Sequence, residues 1–195
     1  MVSQKSVDCM TQEKKNHNSD IPKIKVENFS KSFGDALIFK NVSFSIPNGR
    51  VLSIIGPSGS GKTTLLRCLN LVEIVDSGKL FWNGEPVIQK SNNSHPKLHV
   101  NPDEFRQKIG MVFQEYNLWP NKTILENIIE APCFVKKKSR SEAMNQAKHL
   151  CEKFDIGSKM NEYPIKLSGG QKQRAAFARA LAMEPEVLLL DEVTS

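Results

Sequence analysis

Gly56-Pro57-Ser58-Gly59-Ser60-Gly61-Lys62-Thr63 is the stretch on which the fold turns. It fits the pattern G-x-x-x-x-G-K-S/T, and its flanks give that pattern physical meaning. The apolar run Val51-Leu52-Ser53-Ile54-Ile55 precedes it, and Leu65, Leu66 and Leu69 follow at helical spacing. A strand, a glycine loop and a helix in that order turn consecutive backbone N–H groups around an anion, with the positive end of the helix dipole behind them. Lys62 supplies a point charge to outer phosphate oxygens, and the Thr63 hydroxyl is suited to magnesium; Thr64 follows in the first turn of the helix. The brief apolar run suits a strand covered on both faces.

Toward the N-terminus, Ile24 and Val26, then Phe33, Ile38 and Phe39, then Val42, Phe44 and Ile46 mark short strands. Gly34-Asp35 and Pro47-Asn48-Gly49 separate them as turn signals, so a small antiparallel sheet is expected. Leu80-Phe81-Trp82 followed by Asn83-Gly84 reads as a strand and hairpin turn returning to that sheet. Residues 1–22 are rich in Ser, Gln, Asn, Lys and Asp, with little to bury, and are expected to form a flexible tail.

Toward the C-terminus, residues 90–101 read as a polar connection, 103–108 as a short helix and 109–113 as another buried strand. The helical period then dominates to about Met183. Ala143, Ala147, Leu150, Cys151 and Phe154 fall on one face of a helix that Ser141 is placed to cap. Pro185 ends the last helix, and Val187-Leu188-Leu189-Leu190 is a third buried strand.

Composition bounds these readings. With 195 residues, 39% hydrophobic and 25% charged, the chain has enough apolar material for one core, or one core and a small subdomain. No run of about 18 apolar residues occurs, which argues against a spanning helix, and the polar N-terminus lacks the apolar middle of a secretory signal. A cytosolic chain is expected. Cys9, Cys68, Cys133 and Cys151 are scattered without C-x-x-C spacing, so neither a disulfide framework nor a zinc knuckle is indicated. His95 and His99 are four apart, but Pro96 and the Ser and Asn residues around them favour a solvated loop over a metal site. The net charge of +6 is concentrated at Lys136-Lys137-Lys138 with Arg140, which nucleic acid or anionic lipid could use. No aromatic residues are interleaved for base stacking, so a solvated loop is the better reading and no nucleic-acid partner is expected.

Two further clusters carry chemistry. In Leu167-Ser168-Gly169-Gly170-Gln171, Ser168 and Gln171 have the spacing of a capping box, which by itself merely starts a helix. Two adjacent glycines each cost about 1 kcal/mol relative to alanine in a helix, which that role does not explain. They do leave an unobstructed ring of N–H donors, so a second anion site is plausible. Asp191-Glu192 ends the apolar run 187–190, where ligands of parallel α/β sheets gather. Acidic residues also end strands for solubility. Beside a phosphate loop, however, Asp191 suits water-mediated magnesium binding, and Glu192 suits orienting and deprotonating an attacking water.

The Gly56 to Thr63 loop, Gln114 after Met111-Val112-Phe113, Leu167 to Gln171 and Val187 to Glu192 together resemble the ATP-binding subunits of ABC transporters, from about Lys23 to the final residue. Asn117-Leu118-Trp119-Pro120, Thr123 to Pro132 and Ala178 to Pro185 resemble the bacterial polar amino-acid importers. The resemblance implies an α/β P-loop ATPase core, residues 23–114 and 185–195, with an antiparallel β subdomain and a helical signature subdomain, 115–184. It implies ATP and magnesium as ligands, with Lys62, Gln114 and Glu192 catalytic and Thr63, Gln114 and Asp191 near the metal. Phe33 would stack on adenine, where the family usually has tyrosine. Gln114 would sense the magnesium and attacking water while its loop reports to the membrane subunit. Ser168, Gly169, Gly170 and Gln171 would meet the γ-phosphate held by a second ATPase subunit in a head-to-tail dimer.

The implied partners are transmembrane permease subunits and, indirectly, a periplasmic or extracellular binding protein, with the chain peripheral at the cytoplasmic face of the cell membrane. In the family, an interface loop and a switch histidine follow the Asp191-Glu192 position. The sequence ends at Ser195, with Val193 where proline is usual, so the expectation is a truncated product or partial record with the last part of the core missing. A non-transport ABC ATPase acting on ribosomes or nucleic acid, and a remnant that binds ATP without hydrolysing it, stand as alternatives.

Overall fold

The computed structural model describes residues 8–11, 21–90 and 96–192. The chain divides between Asp103 and Glu104 into two compact units. His95 and Val193 lie outside the described residues, as does most of the expected tail.

The first unit is built on a five-stranded antiparallel sheet in the order β3-β2-β5-β6-β7. Strand β2 (Ile24–Phe33) and strand β3 (Ala36–Ile46) are long, where three short strands are expected from the sequence. The register shifts between Val26 and Phe29 and again between Phe29 and Ser32. Asn28 and Asn41 take left-handed backbone angles near these shifts, so the continuous strands interrupt the side-chain alternation. Ile24, Val26 and Phe29 are nevertheless fully buried and anchor the sheet. Strands β5 (Ser77–Trp82) and β6 (Glu85–Lys90) meet at Asn83-Gly84, both at positive φ, which is the turn chemistry expected there. Part of the expected polar connection is a short edge strand, β7 (Pro96–Leu98), paired to β6 from Ile88 to Lys90.

Strand β4 (Leu52–Ile55) pairs antiparallel with β1 (Asp8–Thr11), so part of the expected flexible tail is a strand. Backbone hydrogen bonding along an open strand edge gives the 8–11 segment a reason to order. The expectation that β4 is covered on both faces is not met. Its exposure alternates and Ile55 is 56% exposed, because β1 is its only neighbouring strand among the described residues. Helix α1 (Lys62–Leu69) follows the glycine loop and buries Leu65, Leu66, Cys68 and Leu69.

The second unit begins near helix α2 (Pro102–Arg106), whose chain crosses the boundary, and continues with strand β8 (Ile109–Val112). β8 pairs in parallel with β9 (Val187–Leu190), and between them run α3 (Ile124–Phe134), α4 (Arg140–Lys153) and α5 (Gly169–Ala182). The helices share a core that includes Ile124, Ile128, Ala143, Ala147, Leu150, Ala175 and Ala178. Phe154, expected on the apolar face of α4, ends that helix and stacks on Phe177 with ring centroids 6.0 Å apart. The cap of α4 is Ser139, not Ser141: its hydroxyl accepts from the Glu142 N–H while Glu142 accepts from the Ser139 N–H. The glutamate three residues on decides between two serines that the apolar pattern alone leaves equivalent.

Candidate functional site

In the first unit, Gly56 to Lys62 form a tight loop. Gly59 and Gly61 have φ of 74° and 95°. At Gly61 a Cβ would also lie 2.8 Å from Ile38 Cγ2, so both the backbone angle and the packing against β3 exclude a side chain. Gly61 is the N-cap of α1 and offers no capping side chain, which leaves the first-turn N–H groups to other acceptors. Lys62 Nζ donates to the carbonyls of Gly56 at 3.1 Å and Pro57 at 3.2 Å, drawing the ammonium across the loop. Pro57, Ser58 and Gly59 are exposed, and Thr63 and Thr64 are half-buried in the first turn of α1.

Ser60 is 1% exposed, and its Oγ has no hydrogen-bond partner. A Cβ at Gly56 would lie 2.7 Å from that oxygen. Buried hydroxyls are rarely left without a partner, so an orphaned oxygen inside this glycine loop fits a site that receives a polar ligand.

Phe33 ends β2 and is 47% exposed. Lys31 Nζ lies 4.9 Å from its ring centroid.

In the second unit, Gln114 and Asp191-Glu192 follow β8 and β9. The two strands run parallel with Val112 opposite Leu190, so these residues share one carboxyl end of the sheet. The Asp191 N–H donates to Val112 O at 3.0 Å, and Asp191 is buried while Glu192 is exposed at a φ of 47°. Gln114 is exposed. Among the described residues no three His, Cys, Asp or Glu side chains converge as metal ligands. A metal taking few protein ligands and completing its shell from phosphate oxygens, as magnesium does, is the kind that Asp191 fits.

The capping box of α5 is realised: Gln171 N–H donates to Ser168 Oγ at 3.3 Å, and Ser168 N–H to Gln171 Oε1 at 3.0 Å. Yet Gly169 and Gly170 are exposed, and a Cβ at either would meet nothing within 4 Å. Nothing in their own fold requires glycine.

Sequence reasoning gave no role to Arg179 or Asn127, and both hold the segment after Gln114. The Arg179 guanidinium donates to Asn117 O at 2.6 Å and Tyr116 O at 2.8 Å, and lies 5.6 Å from the Trp119 ring centroid. Desolvation pushes its pKa below the ordinary arginine value. Tyr116 and Asn117 both sit at positive φ, a strained pair of conformations that this clamp stabilises. Asn127 is fully buried; its Oδ1 accepts from the Trp119 N–H, and its Nδ2 donates to the carbonyls of Trp119, Lys122 and Thr123. Neither residue belongs to a spacing pattern that marks chemistry. For Asn127 the sequence offers one signal, a lone amide in the apolar stretch from Ile124 to Ile129.

The family model described as ABC transporter matches residues 39–195. The arginine transport ATP-binding protein ArtM of Bacillus subtilis (strain 168) is 50% identical over 172 residues, covering 88% of this chain and 68% of that protein. The glutamine transport ATP-binding protein GlnQ of the same organism is 46% identical over 172 residues, with the same two shares. Among solved structures, a dimeric post-hydrolysis state of the ATP-binding cassette MJ0796, bound to ADP and Pi, superimposes with a TM-score of 0.74 at 34% identity, covering 88% of this chain and 74% of that one. With the glycine loop, the open signature helix and the acidic strand end all in place, the chain belongs to the ABC transporter family.

Proposed function

We propose that the chain is the ATP-hydrolysing subunit that energises amino-acid uptake by an ABC transporter, with the nucleotide held by residues 56–64. The relatives named for arginine and glutamine transport support that substrate class. The observation that carries the nucleotide reading is the loop itself: a helix that starts without a side-chain cap, a buried orphan hydroxyl at Ser60, and an ammonium drawn over the loop carbonyls. Backbone amides of 58–63 would take the inner phosphate oxygens and Lys62 the outer ones. Phe33 would stack on the adenine.

Thr63 in the first unit, and Gln114 and Asp191 in the second, are each suited to magnesium, which would neutralise phosphate charge when bound. Glu192, exposed at the sheet end, would orient the attacking water and accept its proton. Ser168, Gly169, Gly170 and Gln171 would present N–H donors to the γ-phosphate of a second subunit, which accounts for the empty space above both glycines. Hydrolysis would therefore require a head-to-tail dimer.

The nucleotide-binding core would comprise residues 23–114 and 185–195, with 115–184 as the signature subdomain. No helix among the described residues is long and apolar enough to cross a membrane. The chain would act as a peripheral subunit at the cytoplasmic face, with permease subunits carrying the path and a binding protein delivering the amino acid. The test is magnesium-dependent ATP turnover in the wild type beside Glu192→Gln. Turnover abolished with ATP binding retained supports the reading, and equal turnover in both refutes the assignment of Glu192.

A further inference from the structure

We propose that Lys31 is a positioning residue for the aromatic platform at Phe33, covering one face of the ring so that a purine base stacks on the other. The inference rests on the reading of Phe33 as the base platform.

Lys31 and Phe33 flank a register shift near the end of β2, and the ammonium is 4.9 Å from the ring centroid. The lysine is itself firmly held. Its Nζ donates to Ile74 O at 2.7 Å and lies 3.6 Å from Asp76 Oδ1 and 3.9 Å from Glu73 Oε2, with only 12% of the side chain exposed. The neighbouring backbone is tied to the same turn. Ser32 N–H donates to Asp76 Oδ2 at 2.6 Å, and Asp76 N–H donates to Ser30 O at 2.9 Å. That turn in turn caps α1, because the N–H groups of Val72 and Glu73 both donate to Arg67 O. An unbroken set of bonds thus runs from the helix that begins at Lys62 to the strand end that carries Phe33.

A tether needed only for folding would be complete with Ile74 and Asp76. It would have no use for an exposed ring, and Phe33 contributes an apolar face that the core leaves in solvent. A largely desolvated cation against an aromatic face is attractive, and it removes rotamer freedom from the ring before any base arrives. One covered face also fixes the side from which a base must stack.

Calorimetric titration with ATP and with inorganic tripolyphosphate tests this, on the wild type, Lys31→Met, Phe33→Ala and the double variant. Lys31→Met is expected to weaken ATP binding roughly three- to tenfold and to leave tripolyphosphate binding unchanged. Lys31→Arg is expected to restore most of the loss. In the Phe33→Ala background, Lys31→Met is expected to cost nothing further. Equal weakening toward both ligands, or the same loss in the Phe33→Ala background, overturns the proposal in favour of a purely structural tether. If Phe33→Ala weakens ATP binding and Lys31→Met does not, the proposal alone fails; if Phe33→Ala leaves ATP binding unchanged, the platform reading fails and takes the proposal with it. Should Lys31→Met not fold, Asp76→Asn loosens the ammonium while keeping the lysine. ATP-specific weakening then supports the proposal, and unchanged ATP affinity overturns it.

Discussion

Glycine at three positions of this chain answers to different causes, and substitution separates them. At Gly61 the cause is internal, since a side chain would meet the Ile38 methyl at 2.8 Å on a backbone at φ 95°. Gly61→Ala is expected to destabilise the fold by about 2 kcal/mol, seen as a lower urea midpoint at unchanged slope. At Gly169 and Gly170 the space is empty. Gly170→Ala is therefore expected to raise stability by up to about 1 kcal/mol through helix propensity, while ATP-dependent pairing of subunits and turnover fall. Greater stability with full turnover would show that the helix start serves nothing beyond its own chain.

At the scale of elements, three helices start with reciprocal capping boxes, at Thr123 and Glu126, Ser139 and Glu142, and Ser168 and Gln171. Hydrogen bonds from Thr123 hold the Glu126 carboxyl below the usual glutamate pKa, and those from Ser139 do the same for Glu142. Because the folded-state values are depressed, this stabilisation is fully present above the ordinary glutamate value and is lost as pH falls through the lowered one. Thermal melts across acid pH are expected to show a smaller acid-induced loss in Thr123→Ala than in the wild type, with the variant about 1 kcal/mol less stable near neutrality.

The Arg179 clamp is an element-scale device as well, since it ties the C-terminal half of α5 to the 116–119 segment. Arg179→Met is expected to cost about 1 to 3 kcal/mol by leaving the Tyr116 and Asn117 carbonyls without their donor, and to speed amide exchange in residues 115–123. Unchanged exchange there would mean that the strained pair is held by something else.

Much of this was legible in the sequence. The strand, loop and helix around Gly56 to Thr63, the Asn83-Gly84 hairpin and the strand at 187–190 all carry local signals: glycine spacing, turn dipeptides and apolar runs; the burial expected along 187–190 is met only at Leu189, while Leu190 is exposed. What the sequence hid was non-local. The order of 8–11 comes from an open edge of β4, the lengths of β2 and β3 depend on irregular pairing, and the roles of Arg179 and Asn127 come from backbone carbonyls brought to them by tertiary packing. The choice of Ser139 over Ser141 is by contrast local, since Glu142 stands three residues after Ser139.

For the whole molecule, the glycines at the start of α5 and Glu192 are exposed, and the proposed function has a second copy complete the site at that helix end. The likeness to a dimeric cassette bound to ADP and Pi fits that arrangement. Gly169→Asp is expected to leave ATP affinity unchanged and to abolish the ATP-dependent shift to dimer in sedimentation, because a carboxylate would repel the γ-phosphate of the facing subunit.

The proposed function centres on phosphate held by the 56–63 loop, and Lys62 is the residue whose charge that loop positions. Titration of ATP into Lys62→Ala, with its melting curve checked against the wild type, measures the dependence directly. The expected result is an affinity loss of about tenfold or more in a protein that melts as the wild type does. Undiminished ATP affinity in that folded variant would contradict the account.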